Sequence, residues 1–167
     1  MQLKATYGKF TEGLYQRHFK IPNDLVIKLS KDGKKRILCT VESNPHFHCA
    51  MMSDGKGGFF IMLNKEKEKQ YGLVIGEEYT IKLEKDKSKY GMYLPEEFEE
   101  LLYQDPKGEA VFETLTDGKK RNLIHLVAVP KKSETRLKKA VVILEYLKSV
   151  DGKLDFKELN QAFKDYS

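Results

Sequence analysis

One stretch, Leu63 to Leu83, constrains this chain more than any other. An apolar run, Phe59 to Leu63, leads into it, and a charged segment, Lys65 to Lys69, follows. Gly72 and Gly76 then bracket Leu73, Val74 and Ile75, and Tyr79, Ile81 and Leu83 alternate with Thr80 and Lys82. Asn64 suits a helix N-cap, where its side chain can accept a backbone N–H two or three residues on. Gly72 suits a helix end that needs positive φ. The charged segment predicts a solvated helical face, with Leu73 and Ile75 turned inward after it. The alternation that follows predicts a strand with one buried face. Strand, short helix, glycine turn and strand form a unit that must bury both strands against others.

The order of signals on either side extends this unit. Leu3 to Phe10 and Leu14 to Ile21 read as strands around Gly13, with Tyr7, Phe10, Tyr15 and Phe19 supplying β-favouring bulk. Pro22 stops the second strand, and Asn23-Asp24 opens a short helix carrying Leu25, Val26 and Leu29. Arg36 to Val41 and Phe47 to Met52 read as two further strands, and Ser53 to Gly58 as a hairpin into Phe59 to Leu63. Six strands and two short helices by Leu83 predict a small closed or partly closed barrel. Lys85 to Tyr90 reads as a charged linker. Beyond it the signals turn helical: Leu94-Pro95-Glu96-Glu97, Asp105-Pro106, Lys119 to Val129, Ser133 to Lys148, and a capped segment from Asp155. The longest predicts a buried stripe of Leu137, Ala140, Val141, Leu144 and Leu147. The last predicts a capping box, Asp155 with Glu158, and a hydrophobic staple, Leu154 with Leu159.

Asn64 to Leu83 looks like the helix-then-glycine-turn unit of swapped-hairpin and cradle-loop barrels, with Glu77 where Asp is usual. Residues 1–89 resemble a bacterial domain-of-unknown-function family with a small double-split β-barrel fold. That family is often fused to a helical tail described as bacteriocin-protection, YdeI/OmpD-associated. The residues that carry the resemblance are Ile21-Pro22, Gly55 to Asn64, Gly72 to Gly76, Leu94-Pro95-Glu96-Glu97 and Glu134-Thr135-Arg136. The fold class expected is therefore α+β, a six-stranded barrel over residues 1–89 and a helical domain over 90–167. For function, the resemblance implies only a loose link to bacteriocin or stress protection.

Charge narrows the partners. Residues 1–94 hold 17 Lys+Arg and 11 Asp+Glu, a difference of +6, and residues 95–167 hold 13 and 14, a difference of −1. A mildly basic barrel is compatible with nucleic acid, yet the acids interleaved among its lysines dilute any continuous phosphate track. That partner is possible but not favoured. The chain has no apolar stretch near the roughly 20 residues a spanning helix needs, and no secretory leader is read at its start. A membrane partner is not expected, and the compartment expected is the cytoplasm. Cys39 and Cys49 read as free thiols, not as a disulfide framework.

His46, His48 and Cys49, with Cys39 upstream, are ligand types for zinc. Strand parity places His46 and His48 on one face and Cys49 on the other, and the spacing matches no common zinc pattern. No metal and no cofactor are assigned. Asp151-Gly152 to Glu158 mimics half of a calcium loop, but Leu147 and Ser149 stand where the first oxygen ligands belong, so a turn and helix cap is the better reading. A basic segment, Lys119 to Lys139, faces an acidic one, Glu96 to Asp117, and mutual neutralisation competes with a partner site there. Arg136, Glu134, Lys131 and Lys132, together with Arg36, His46 and His48, form the candidate ligand set. Arg136 is its fork donor for an anion. No catalytic residue is assigned. The reading is a non-catalytic binding module for a small anionic ligand or a protein; the alternatives are a nucleic-acid-binding barrel and an enzyme built on His46 and His48.

Overall fold

A computed structural model describes residues 1–12 and 17–167. Gly13, Leu14 and Tyr15, read above as a turn and the start of a strand, lie outside them. The chain divides into two compact units, Met1–Gly91 and Met92–Ser167.

The first unit is a nearly closed antiparallel sheet of seven strands. These are β1 (Gln2–Lys9), β2 (Arg17–Ile21), β3 (Arg36–Val41), β4 (Phe47–Ala50), β5 (Met52–Ser53), β6 (Phe59–Met62) and β7 (Glu78–Lys85). Their order across the sheet is β4-β3-β7-β1-β2-β6-β5. The inward positions of each strand are apolar, so Tyr7, Phe19, Ile37, Cys39, Ile61, Ile81 and Leu83 meet in one core with no exposure to water.

The seventh strand comes from a break that periodicity does not reveal. Phe47 to Met52 reads as one strand, but Met51 divides it. Its N–H donates to the Lys35 carbonyl at 2.9 Å, one step past the Arg36–Ala50 pair, and the next residue already pairs with β6. On one side of Met51, β4 pairs with β3; on the other, β5 pairs with β6. Those partners lie toward opposite ends of the sheet, so a single residue brings the two ends together and curls the sheet into a cylinder. Met51 is 1% exposed at this seam.

Two short helices flank the barrel, α1 (Asn23–Leu29) and α2 (Lys65–Tyr71). Asn64 caps α2 by accepting the Lys67 N–H at 2.9 Å, and Gly72 ends it in the left-handed conformation, φ 63°. Three expectations for this unit are corrected. Ile75 points to solvent and only Leu73 is buried. Gly76 N–H donates to the Tyr7 carbonyl and Tyr7 N–H to the Glu77 carbonyl, so residues 73–76 form an arch pinned to β1, with room for one side chain beneath it. Nor is the charged face of α2 wholly solvated. Glu68 accepts the Tyr7 hydroxyl at 2.9 Å and the Arg17 Nε at 2.5 Å. Lys67 lies over the rings of Phe47 and Tyr71. Burial first, and then the Glu68 carboxylate, push the Tyr7 hydroxyl well above its usual range. Lys85, expected in a linker, ends β7 and donates to the Leu29 carbonyl at 3.1 Å and the Lys34 carbonyl at 2.9 Å.

The second unit comprises α3 (Glu96–Gln104), α4 (Pro106–Glu113), α5 (Asp117–Ala128), α6 (Ser133–Ser149) and α7 (Phe156–Asp165). α6 is central, and each of the others packs on it. Phe98, Phe112, Leu123, Ile124, Val127, Ala140, Ile143 and Leu147 are fully buried there. α5 begins at Asp117, two residues before the expected start at Lys119, because the Thr116 side chain caps it. Leu137, expected in the buried stripe, is exposed: the packed part of α6 begins at Ala140, one turn later. Gly108 lets α4 approach α6 closely, since a Cβ there would meet Leu144 Cδ1 at 3.1 Å. The cap of α7 also differs from the expected box. Asp155 accepts the N–H groups of Lys157 and Glu158, but the reciprocal role falls to Tyr146, whose hydroxyl accepts the Asp155 N–H and donates to Glu158.

Candidate functional site

The barrel gathers three of the candidate ligand residues at one corner. β3 and β4 run antiparallel with Leu38 opposite His48, so His48 and Arg36 project from the outward face while Ile37, Cys39 and Cys49 turn inward. Just past the end of β7, Asp86 is almost wholly buried, and its Oδ2 lies 2.6 Å from His48 Nδ1. Its Oδ1 accepts both the backbone N–H and the hydroxyl of Ser88, at 2.9 and 2.6 Å. The Ser88 hydroxyl in turn accepts the Gly91 N–H, and Arg36 Nη2 donates to the Gly91 carbonyl. Gly91 has to be glycine: its φ is 70°, and a Cβ would come within 3.1 Å of Arg36 Nε. His46 is exposed beside this network, its ring 6.3 Å from that of His48 in an edge-to-face arrangement. Asp86 carries no motif in the sequence, where it sits in an apparent linker; only the register of β7 against β3 delivers it to His48.

Burial alone would raise the Asp86 carboxyl, but the hydrogen bonds from His48 and Ser88 outweigh it and hold the group below the usual carboxylate range. A carboxyl depressed in the folded state adds stability that is present above its unfolded pKa, near 4, and lost as pH falls through the folded value. Asp86→Asn is therefore expected to lower stability by about 1–3 kcal/mol at pH 7. In urea melts the gap to the parent protein should narrow below pH 4. An equal gap at pH 7 and pH 3 would show that the charge contributes nothing.

Cys39 and Cys49 stand on adjacent strands facing the core, and both are free. Burial pushes the Cys49 thiol up to about 12 and the Cys39 thiol higher still. The two histidines face away from them. Among the described residues no group of three or more His, Cys, Asp or Glu side chains is placed to hold a metal ion.

The other candidates lie on the helical unit, at the start of α6. Lys131 and Lys132 are exposed and make no ion pair among the described residues. Lys132 occupies the N-cap without a side-chain cap bond of its own. Arg136 is partly committed. Its Nε donates to the Pro130 carbonyl at 2.7 Å, and its Nη1 lies 3.9 Å from Glu97 Oε1. The Ser133 hydroxyl, and then Arg136, hold the Glu97 carboxyl low. Glu134 points outward and pairs with Lys138 at 3.6 Å. Neutralisation of the basic segment by the acidic one is thus partial: Lys120 meets Glu113 at 2.8 Å and Arg136 approaches Glu97, but Lys131 and Lys132 make no ion pair among the described residues.

These features define a protein with a β-barrel unit followed by a helical unit, the first carrying a fixed histidine–carboxylate pair, the second a basic helix start. Residues 11–83 match the domain of unknown function DUF1905, and residues 92–149 match the family described as bacteriocin-protection, YdeI or OmpD-associated. The two matches follow one another in that order along the chain. α7 falls outside both matches. No curated protein and no solved structure matches the chain. No helix among the described residues is long and apolar enough to cross a membrane.

Proposed function

We propose that the protein is a non-catalytic binding module of the bacterial cytoplasm for a small anionic ligand or the acidic surface of a protein, held at the start of α6. One observation carries the reading. Lys131 and Lys132 are exposed, make no ion pair among the described residues, and stand at a helix start whose N-cap residue, Lys132, makes no side-chain cap bond. The positive end of the helix dipole adds to their charge, and a phosphate or carboxylate satisfies all three at once. Arg136 adds positive charge one turn on, its Nε fixed by the Pro130 carbonyl and its Nη1 near Glu97.

Inorganic phosphate is expected to raise the melting temperature of the parent protein, the rise growing with the logarithm of its concentration once that exceeds Kd. The double substitution Lys131→Ser with Lys132→Ser should abolish that shift and leave the ligand-free melting temperature within about 2 °C, since exposed, unpaired lysines contribute little to stability. An unchanged shift in the double variant would remove the site from α6. Arg136→Ala is a poorer probe, because it also leaves Glu97 without its counter-charge.

A second reading is favoured by the His48–Asp86 pair. A carboxylate on Nδ1 fixes an imidazole's orientation and tautomer, the usual preparation for proton transfer at Nε2. Turnover of a phosphoester or carboxyl ester lost in His48→Ala and kept in Lys131→Ser would favour an enzyme at the barrel corner.

A further inference from the structure

A different face of the barrel carries two adjoining grooves. The first, of about 470 Å³, lies over β1 and β2 and is lined by Lys4, Thr6, Gly8, Phe10, His18 and Lys20, among others. The second, of about 510 Å³, is lined by Phe10, Lys20, Ser53, Lys56 and Phe60, with Glu12 and Asp54. Phe10 and Lys20 belong to both, so the two form one path from β1 across β2 to the β5–β6 hairpin. Both volumes lie in the range of ordinary ligand sites.

The chemistry of the path is specific. Lys9, Lys20 and Lys56 are exposed and make no ion pair among the described residues, and Lys4 meets Glu78 only at 3.5 Å in the open. Of the two acids, Asp54 has its Oδ1 turned back into its own hairpin, accepting the N–H groups of Lys56 and Gly58. Between the lysines lies an aromatic floor outside the barrel core. Phe10 stacks on His18, ring centroids 3.7 Å apart and nearly parallel, and meets Phe60 edge-on at 5.1 Å. His18 and Phe60 are buried although their strand positions face outward. Gly8 makes this possible, since a Cβ there would press on the His18 ring at 3.2 Å. The outer face of Phe10 remains half-exposed.

We infer that this path binds single-stranded nucleic acid, with phosphates on Lys4, Lys9, Lys20 and Lys56 and a base on the open face of Phe10. Lysines that track a backbone beside an aromatic platform are the common recipe for sequence-tolerant single-strand binding. A duplex keeps its bases stacked and cannot use Phe10, and a simple polyanion has no base to stack. The site shares no residue with the start of α6, so its test is independent of the phosphate reading above.

The test is fluorescence anisotropy with the full chain and a labelled dT 15-mer at low salt, with a duplex of the same length and inorganic polyphosphate as competitors. Saturable binding is expected, with a log–log salt slope of about −2 to −3 for three or four phosphate contacts. Lys20→Glu should weaken it at least about tenfold, and Phe10→Ala about fivefold or more, in keeping with the loss of one stacked base. Lys157→Glu, on α7, should leave it within about twofold. Circular dichroism of each variant establishes that it is folded, and Lys9→Glu serves if Lys20→Glu is not. Absence of binding, equal binding of the duplex, or a folded Phe10→Ala protein that binds like the parent would each overturn the inference. So would polyphosphate competing as well as the oligonucleotide.

Discussion

Met51→Asp is expected to open the barrel. Met51 is 1% exposed at the seam between β4 and β5, where it is surrounded by the core. Losing the buried methionine costs about 1.5–3 kcal/mol. An aspartate in its place is surrounded by apolar side chains, so it must stay protonated or drag water into the cylinder, at a further cost of several kcal/mol. Together these approach the whole stability of a small domain, about 5–15 kcal/mol. Far-UV circular dichroism should show loss of the strand signal, with the helical signal retained if the second unit stands alone. Met51→Leu, of nearly the same volume, should cost less than about 1.5 kcal/mol. An aspartate variant with near-parent stability would mean that the seam is not what holds the sheet closed.

Phe112→Ala is expected to be the most damaging truncation in the helical unit. Phe112 is fully buried on α4, its ring 5.2 Å from that of Phe98 on α3 in an edge-to-face contact, and both helices pack on α6. Removing the ring loses its transfer free energy, the aromatic contact, and packing around the cavity left behind, about 3–5 kcal/mol in all. The chain has no tryptophan, so ellipticity at 222 nm is the signal to follow in urea melts. Tyr103→Ala, on the exposed face of α3, should stay within about 0.5 kcal/mol of the parent and serves as control.

The parts of the fold legible in the sequence are those set by local geometry. Asn64 and Gly72 bound α2 because one can accept an N–H and the other can take positive φ. The alternations at Ile37-Cys39-Val41 and Ile81-Leu83 give buried faces because strand parity is fixed at two. What periodicity cannot give is partnership. Nothing local marks Met51 as the residue where a strand changes partners, since both halves alternate in phase. Asp86 reaches His48 through the register of two ladders, and His18 lies beneath Phe10 because Gly8 is its cross-strand neighbour. Ile75 and Leu137 are exposed for a related reason: an apolar residue at the right spacing is buried only if an element lies over it, and among the described residues none buries either side chain. The basic helix start was visible as a cluster of lysines, but not which of them would find acids. Lys120 does; Lys131 and Lys132 do not.

The one-residue break between β4 and β5 has a consequence for self-association. Because consecutive residues serve both margins of the sheet, β3 and β6 have their outer hydrogen-bonding groups occupied by a single short segment. Were that segment to detach, two ladders of unpaired N–H and C=O groups would face solvent together, each a template for another chain. Polymerisation by strand exchange should therefore begin at this segment, and a peptide spanning Phe47 to Ser53, added in excess, should compete with it.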